Sequence, residues 1–98
     1  MRFRFKSKKI EALYTEEKGA HKYSPAVVDA FFEVMDAIRA AVDERDLYAL
    51  RGLRYEKLKG KRSHQHSIRL GKQFRLIIER EQDEQGRYLL IVDVEDYH

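Results

Sequence analysis

Gln65-His66-Ser67-Ile68-Arg69-Leu70, then Gly71-Lys72-Gln73, then Phe74-Arg75-Leu76-Ile77-Ile78-Glu79-Arg80 is the stretch whose reading decides the fold. Two strand-like runs flank Gly71-Lys72, the pattern of a tight hairpin. A second turn signal, Gln82-Asp83-Glu84-Gln85-Gly86, leads into residues 88–94, the most buried-looking strand of the chain. Working back toward the N-terminus, Met1-Arg2-Phe3-Arg4-Phe5-Lys6 alternates apolar and basic residues, the period of a half-buried strand that can join the same sheet. Ser7 caps a short helix carrying Ile10, Leu13 and Tyr14 that ends near Gly19. Ser24-Pro25 is a stronger start signal, a capping hydroxyl followed by proline at the first helical position. From there Val28, Phe31, Phe32, Met35, Ile38 and Val42 recur at three- and four-residue steps, predicting an amphipathic helix of about 18–20 residues. The expected fold is α+β: two N-terminal helices packed on an antiparallel sheet of three to five strands, in one domain over residues 1–98. Phe31, Phe32 and Phe74 are expected in the core, and Phe3 and Phe5 with them.

Composition then removes whole classes of function. With 43% hydrophobic and 11% aromatic residues the chain is globular, although 38% charged residues is high. The absence of cysteine excludes a disulfide scaffold, a cysteine zinc site and thiol chemistry, and suits the reducing cytoplasm. The longest apolar run, Tyr88-Leu89-Leu90-Ile91-Val92, is too short for a membrane span or a signal-peptide core. There is no glycine-rich phosphate loop, no Gly-x-Ser-x-Gly elbow and no His-Glu-x-x-His helix. His64-x-His66 aligns two imidazoles, but no third ligand stands at a familiar spacing, so neither a metal nor a cofactor is expected.

The formal charge of +3 hides an uneven distribution. Residues 51–75 hold nine basic groups (Arg51, Arg54, Lys57, Lys59, Lys61, Arg62, Arg69, Lys72 and Arg75) and one acid, Glu56, a balance of +8. The other 73 residues hold 11 basic and 16 acidic groups, a balance of −5. A solvated lysine-rich loop with edge-strand charges that oppose aggregation is one reading. The other is a phosphate-binding surface, because charge concentrated in one hairpin region focuses a field that an even spread would not. Alternation along the strands favours the second reading, since Arg69 and Arg75 can project from the same open sheet face near the Lys59-Gly60-Lys61-Arg62 loop.

The C-terminal Asp93-Val94-Glu95-Asp96-Tyr97-His98 runs directly on from the apolar strand. On a strand, Asp96 and His98 share one face and Tyr97 takes the other. A carboxylate, a phenol and an imidazole supply a base, an acid and a hydrogen-bond donor if they converge; otherwise they are a polar chain end.

In sequence order, Leu58-Lys59-Gly60-x-Arg62, Ser67-Ile68-Arg69, Gln73-Phe74-Arg75-Leu76-Ile77 and Glu95-Asp96-Tyr97-His98 resemble the HigB branch of the RelE/ParE toxins, over roughly residues 25–98. The resemblance implies a RelE-like fold and a ribosome-dependent endoribonuclease that cuts mRNA in the decoding site, touching 16S ribosomal RNA. It also implies a helix-turn-helix, HigA-like antitoxin as partner. Carried over by position, Lys59 and Arg75 hold the scissile phosphate, while Asp96, Tyr97 and His98 orient groups and transfer protons. Arg54, Lys57, Lys61, Arg62, Arg69 and Lys72 form the surrounding RNA-binding surface. Some positions depart from the family pattern. Glu56 stands where histidine is common; a glutamate can serve as general base there, and which of the site residues is base and which is acid stays open. Lys61 replaces a common aspartate, and His66 and Phe74 take positions often held by tryptophan; Phe74 keeps an aromatic core contact, whereas His66 does not obviously do so and is expected at the RNA surface. Two other readings stay open. One is a gyrase poison of the ParE type, which would not need the terminal residues. The other is an inactive RNA- or partner-binding module, with Glu56 marking a lost active site.

Overall fold

The computed structural model describes residues 1–96. Among them the chain forms β1 (Phe3–Phe5), α1 (Lys8–Glu16), α2 (Pro25–Ala40), α3 (Glu44–Ala49), β2 (Glu56–Lys57), β3 (Gln65–Leu70), β4 (Phe74–Asp83) and β5 (Gly86–Asp96). The strands make one sheet in the order β1-β5-β4-β3-β2. Residues β2 to β5 form the expected antiparallel meander, but β1 lies parallel to β5, with Phe3 opposite Leu89 and Phe5 opposite Ile91. The sheet is therefore mixed, not wholly antiparallel: α1 and α2 carry the chain away from β1, and the direction of the last meander strand decides the sense of the pair.

Both predicted helix starts are in place. The Ser7 hydroxyl accepts a hydrogen bond from the Ile10 amide at 3.3 Å, and the Ser24 hydroxyl accepts one from Val27 at 3.3 Å, with Pro25 opening α2. Helix α1 stops where Glu17 turns left-handed at φ 53°, just before Gly19. Helix α2 has 16 residues, shorter than its apolar repeat predicts, because Ala41 takes an extended conformation. Val42 falls beyond the helix and is 84% exposed, not part of the apolar face. The short α3 was not anticipated; Asp43 caps it by accepting from the Arg45 amide at 2.9 Å, and Leu47 pins it to the core.

Helices cover one sheet face. Ile10 and Leu13 of α1 and Phe31, Val34, Met35 and Ile38 of α2 meet Ile68, Leu70, Leu76, Ile78, Leu89, Ile91 and Val94 of the sheet. Each such side chain contributes on the order of 1.5–3 kcal/mol by leaving water. Phe3 and Phe5 are half-buried against this core, and Tyr14 stacks on Phe32 with ring centroids 6.1 Å apart. Phe74 meets Tyr23 edge-on at 5.5 Å.

A β-bulge sets what the other face carries. Ile77 opposes Asp93 and Ile78 opposes Ile91, so Val92 is an extra residue in β5. The step of three from Ile91 to Val94 keeps both in the core and turns Asp93 and Glu95 to the uncovered face. At the far end of that face, Arg2 and Arg4 bond to Asp83 at 2.7 and 2.9 Å and lie over the Tyr88 ring, fastening β1. The Arg2 hydrogen bonds hold the Asp83 carboxyl down at about 2. Among the described residues no helix is long and apolar enough to cross a membrane.

Candidate nucleic-acid interface

Strand register assembles the basic surface. Arg69, Arg75 and Glu95 face one another across β3, β4 and β5, and the next row brings Glu56 opposite Ser67. Arg54, Glu56, Ser67, Arg69 and Arg75 line a concavity of about 240 Å³ on the sheet face that no described helix covers. Arg54 reaches it from a left-handed conformation, φ 49°, where the 3₁₀ turn Arg51–Leu53 swings into β2. A non-glycine residue held there costs on the order of 1 kcal/mol, and such strain collects at functional sites. The hairpin prediction that Arg69 and Arg75 share the open face is borne out by their direct pairing.

Behind this concavity runs a continuous polar network. The Glu95 carboxylate accepts from Arg62 Nη1 and Nη2 at 2.8 and 2.9 Å and from Arg75 Nη2 at 2.9 Å. The Arg62 hydrogen bonds, helped by Arg75 and opposed by burial, hold the Glu95 carboxyl down at about 2. Arg62 Nε donates to Gln65 Oε1 at 2.9 Å, and Gln65 Nε2 donates to Glu79 Oε2 at 2.8 Å. The Leu58 amide also donates to the Gln65 carbonyl at 2.9 Å, so the loop carrying Lys59 and Lys61 is tied to β3 at both ends. Lys59 and Lys61 are exposed on that loop, Lys57 on the edge strand β2 and Lys72 in the 71–73 turn.

Asp96 closes β5 opposite Phe74, in the row that alternates away from Glu95, and accepts from Gln73 Nε2 at 2.8 Å. Tyr97 and His98 lie outside the described residues. The structure thus brings Glu56, Arg54, Arg69 and Arg75 together, sets Arg62 beside them, and leaves Asp96 at the strand end. Glu95 was not among the candidate site residues. The sequence carries no clear signal for it, because Leu90, Val92 and Val94 alternate as an unbroken strand would and the bulge appears only in the register.

His66 requires a correction. It is 1% exposed, on the helix side of β3 with Ile68 and Leu70, and so is withdrawn from the RNA surface. Its ring stacks on Tyr55 at 4.8 Å, and its Nε2 lies 3.3 Å from the Tyr48 hydroxyl. Tyr55 in turn donates to Glu44 at 2.9 Å. Burial, reinforced by Arg80 and Lys57 and opposed by Glu44, pushes the His66 imidazole below its usual range. Burial first, and then Glu44, pushes the Tyr55 phenol up.

The architecture is thus a five-stranded mixed sheet with helices on one face and clustered arginines on the other. The fold is shared with a YoeB/ParE toxin from Agrobacterium tumefaciens, with a TM-score of 0.58 over 100% of both chains and 12% identity. At the level of sequence, the family model described as a RelE-like toxin of the type II toxin-antitoxin system HigB matches residues 3–98. "Toxin HigB-1" of Vibrio cholerae serotype O1 is 34% identical over 79 residues, covering 81% of this chain and 83% of that protein. The chain belongs to the HigB-like family of type II toxin-antitoxin toxins. Membership implies an antitoxin partner.

Proposed function

We propose that this toxin is a ribosome-dependent endoribonuclease that cuts translated mRNA in the cytoplasm through the RNA's own 2′-hydroxyl. The observation that carries this reading is the concavity in which the Glu56 carboxylate stands among Arg54, Arg69 and Arg75. In-line attack joins the 2′-oxygen to the adjacent phosphorus and breaks the bond from phosphorus to O5′. Glu56 takes the 2′-hydroxyl proton. Arg75 and Arg69, with Lys59 from the neighbouring loop, bind the non-bridging oxygens as negative charge builds on them. The leaving O5′ takes a proton from the terminal Asp96-Tyr97-His98 group. The products are a 2′,3′-cyclic phosphate and a 5′-hydroxyl end.

Arg54, Lys57, Lys61, Arg62 and Lys72 extend the positive surface along mRNA and 16S ribosomal RNA. The antitoxin is of the helix-turn-helix, HigA-like kind. The test is incubation of the purified protein with mRNA, free and on programmed ribosomes, beside induced expression in growing cells. Cleavage confined to ribosome-bound mRNA, with growth arrest, is the expected result. Failure to cut in the ribosome sinks the reading, and arrest that survives the paired substitution of Tyr97→Ala and His98→Ala would favour the gyrase-poison alternative.

A further inference from the structure

Two guanidiniums share one carboxylate oxygen on the uncovered sheet face: Arg62 Nη1 at 2.8 Å and Arg75 Nη2 at 2.9 Å from Glu95 Oε1. Like charges brought this close repel unless an anion lies between them. One of the two belongs to the sheet. The other comes from the 3₁₀ turn Gly60–Arg62 of the loop that carries Lys59 and Lys61. The second Glu95 oxygen accepts from Arg62 Nη2 at 2.9 Å, so Arg62 is gripped in the paired geometry that fixes a guanidinium plane. Arg62 Nε continues the chain to Gln65, and Gln65 to Glu79, crossing the strands beneath the loop.

We propose that Glu95 is a positioning residue: its carboxylate holds the Arg62 and Arg75 guanidiniums together, fixing where Arg75 meets the RNA phosphate and docking the 58–62 loop on the sheet. The proposal rests on the endoribonuclease reading for its catalytic consequence, but not for the placement of Arg75. The bulge at Val92 serves this placement, because it turns Glu95 to the same face as Arg75 while Val94 stays in the core. The depressed Glu95 carboxyl fits a group that stays charged between two cations.

Two assays test it. In single-turnover cleavage on programmed ribosomes, Glu95→Gln is expected to lower the maximal rate about tenfold while half-saturation is unchanged or tighter, since the surface gains one net positive charge. A defect of folding alone would weaken both, and urea denaturation monitors it. In the second assay, a short 2′-deoxy oligonucleotide that cannot be cut probes where Arg75 sits. Arg75→Ala should weaken its binding about tenfold in the wild-type background and less than about twofold in the Glu95→Gln background.

An unchanged maximal rate in Glu95→Gln, or an equal Arg75→Ala loss in both backgrounds, overturns the proposal. If wild type cuts no RNA, the endoribonuclease reading falls, and the binding cycle still decides the role of Glu95. Where Glu95→Gln does not fold, Glu95→Asp keeps the charge and draws the carboxylate back by one methylene: a lowered maximal rate at unchanged half-saturation and a reduced Arg75→Ala loss are expected, and an unchanged rate or an undiminished Arg75→Ala loss overturns the proposal.

Discussion

Glu56 occupies the place where the family pattern commonly has histidine, and the concavity gives it cationic neighbours suited to hold a phosphate beside it. If Glu56 is the base of the proposed reaction, Glu56→Gln keeps the shape and removes it, so the cleavage rate should fall about 10²–10⁴-fold. Glu56→His should recover much of that loss, measured by single-turnover cleavage. Arg75→Ala, which takes away a cation aimed at the developing charge, should cost about 10²–10³-fold in rate. At this scale the sequence was readable where side-chain alternation acts alone. Arg69 and Arg75 were placed on one face because a single hairpin links them. The same alternation puts His66 inward with Ile68 and Leu70, yet its polar side chain suggested the surface. Its ring instead meets Tyr55, just before β2, and Tyr48 of α3, neighbours that the pattern around His66 does not reveal.

Among the elements, those set by local chemistry were legible and those set by tertiary pairing were not. Ser7 and Ser24-Pro25 announce α1 and α2 because caps act within one turn. Ser24→Ala should cost about 1 kcal/mol of stability in urea denaturation. Met35→Ala, at a fully buried position of α2, should cost about 2–5 kcal/mol in the same experiment. Helix α3 is only 6 residues long with Leu47 as its buried anchor, too little for a periodicity to form. The parallel docking of β1 depends on which strand edge the meander leaves available. Arg2, Arg4, Asp83 and Tyr88, nearly a chain length apart, complete that junction. The bulge in β5 is the element that matters most for the site, and the regular alternation of Leu90, Val92 and Val94 hides it from the sequence.

For the whole molecule, charge and protonation make two linked demands. Burial keeps His66 below its ordinary value of 6.5, so below that pH the unfolded chain binds a proton that the folded chain does not. Stability should therefore fall as pH drops from about 7.5 to 5.5, and His66→Phe should flatten that slope, read from urea midpoints. Glu95 and Asp83 add a second loss at lower pH. Their folded carboxyls lie at about 2 against ordinary values of 4.5 and 3.8, so their contribution is present above the ordinary values and fades as pH falls toward about 2. Under the proposed function, the clustering of +8 in residues 51–75 should give RNA binding a steep salt dependence that the net +3 would not suggest. Under the proposed function the charge holds RNA, while cutting is assigned to Glu56 beside the arginines and to the terminal Asp96-Tyr97-His98, and one substitution in the substrate separates the two. Programmed ribosomes are loaded with an mRNA carrying a single 2′-deoxy residue at the mapped cleavage position, beside the all-ribose mRNA. Cleavage of the ribose message to a 2′,3′-cyclic phosphate, with the deoxy message left intact at that position, is the predicted result; scission of the deoxy message there at a comparable rate, or of neither message, would contradict it.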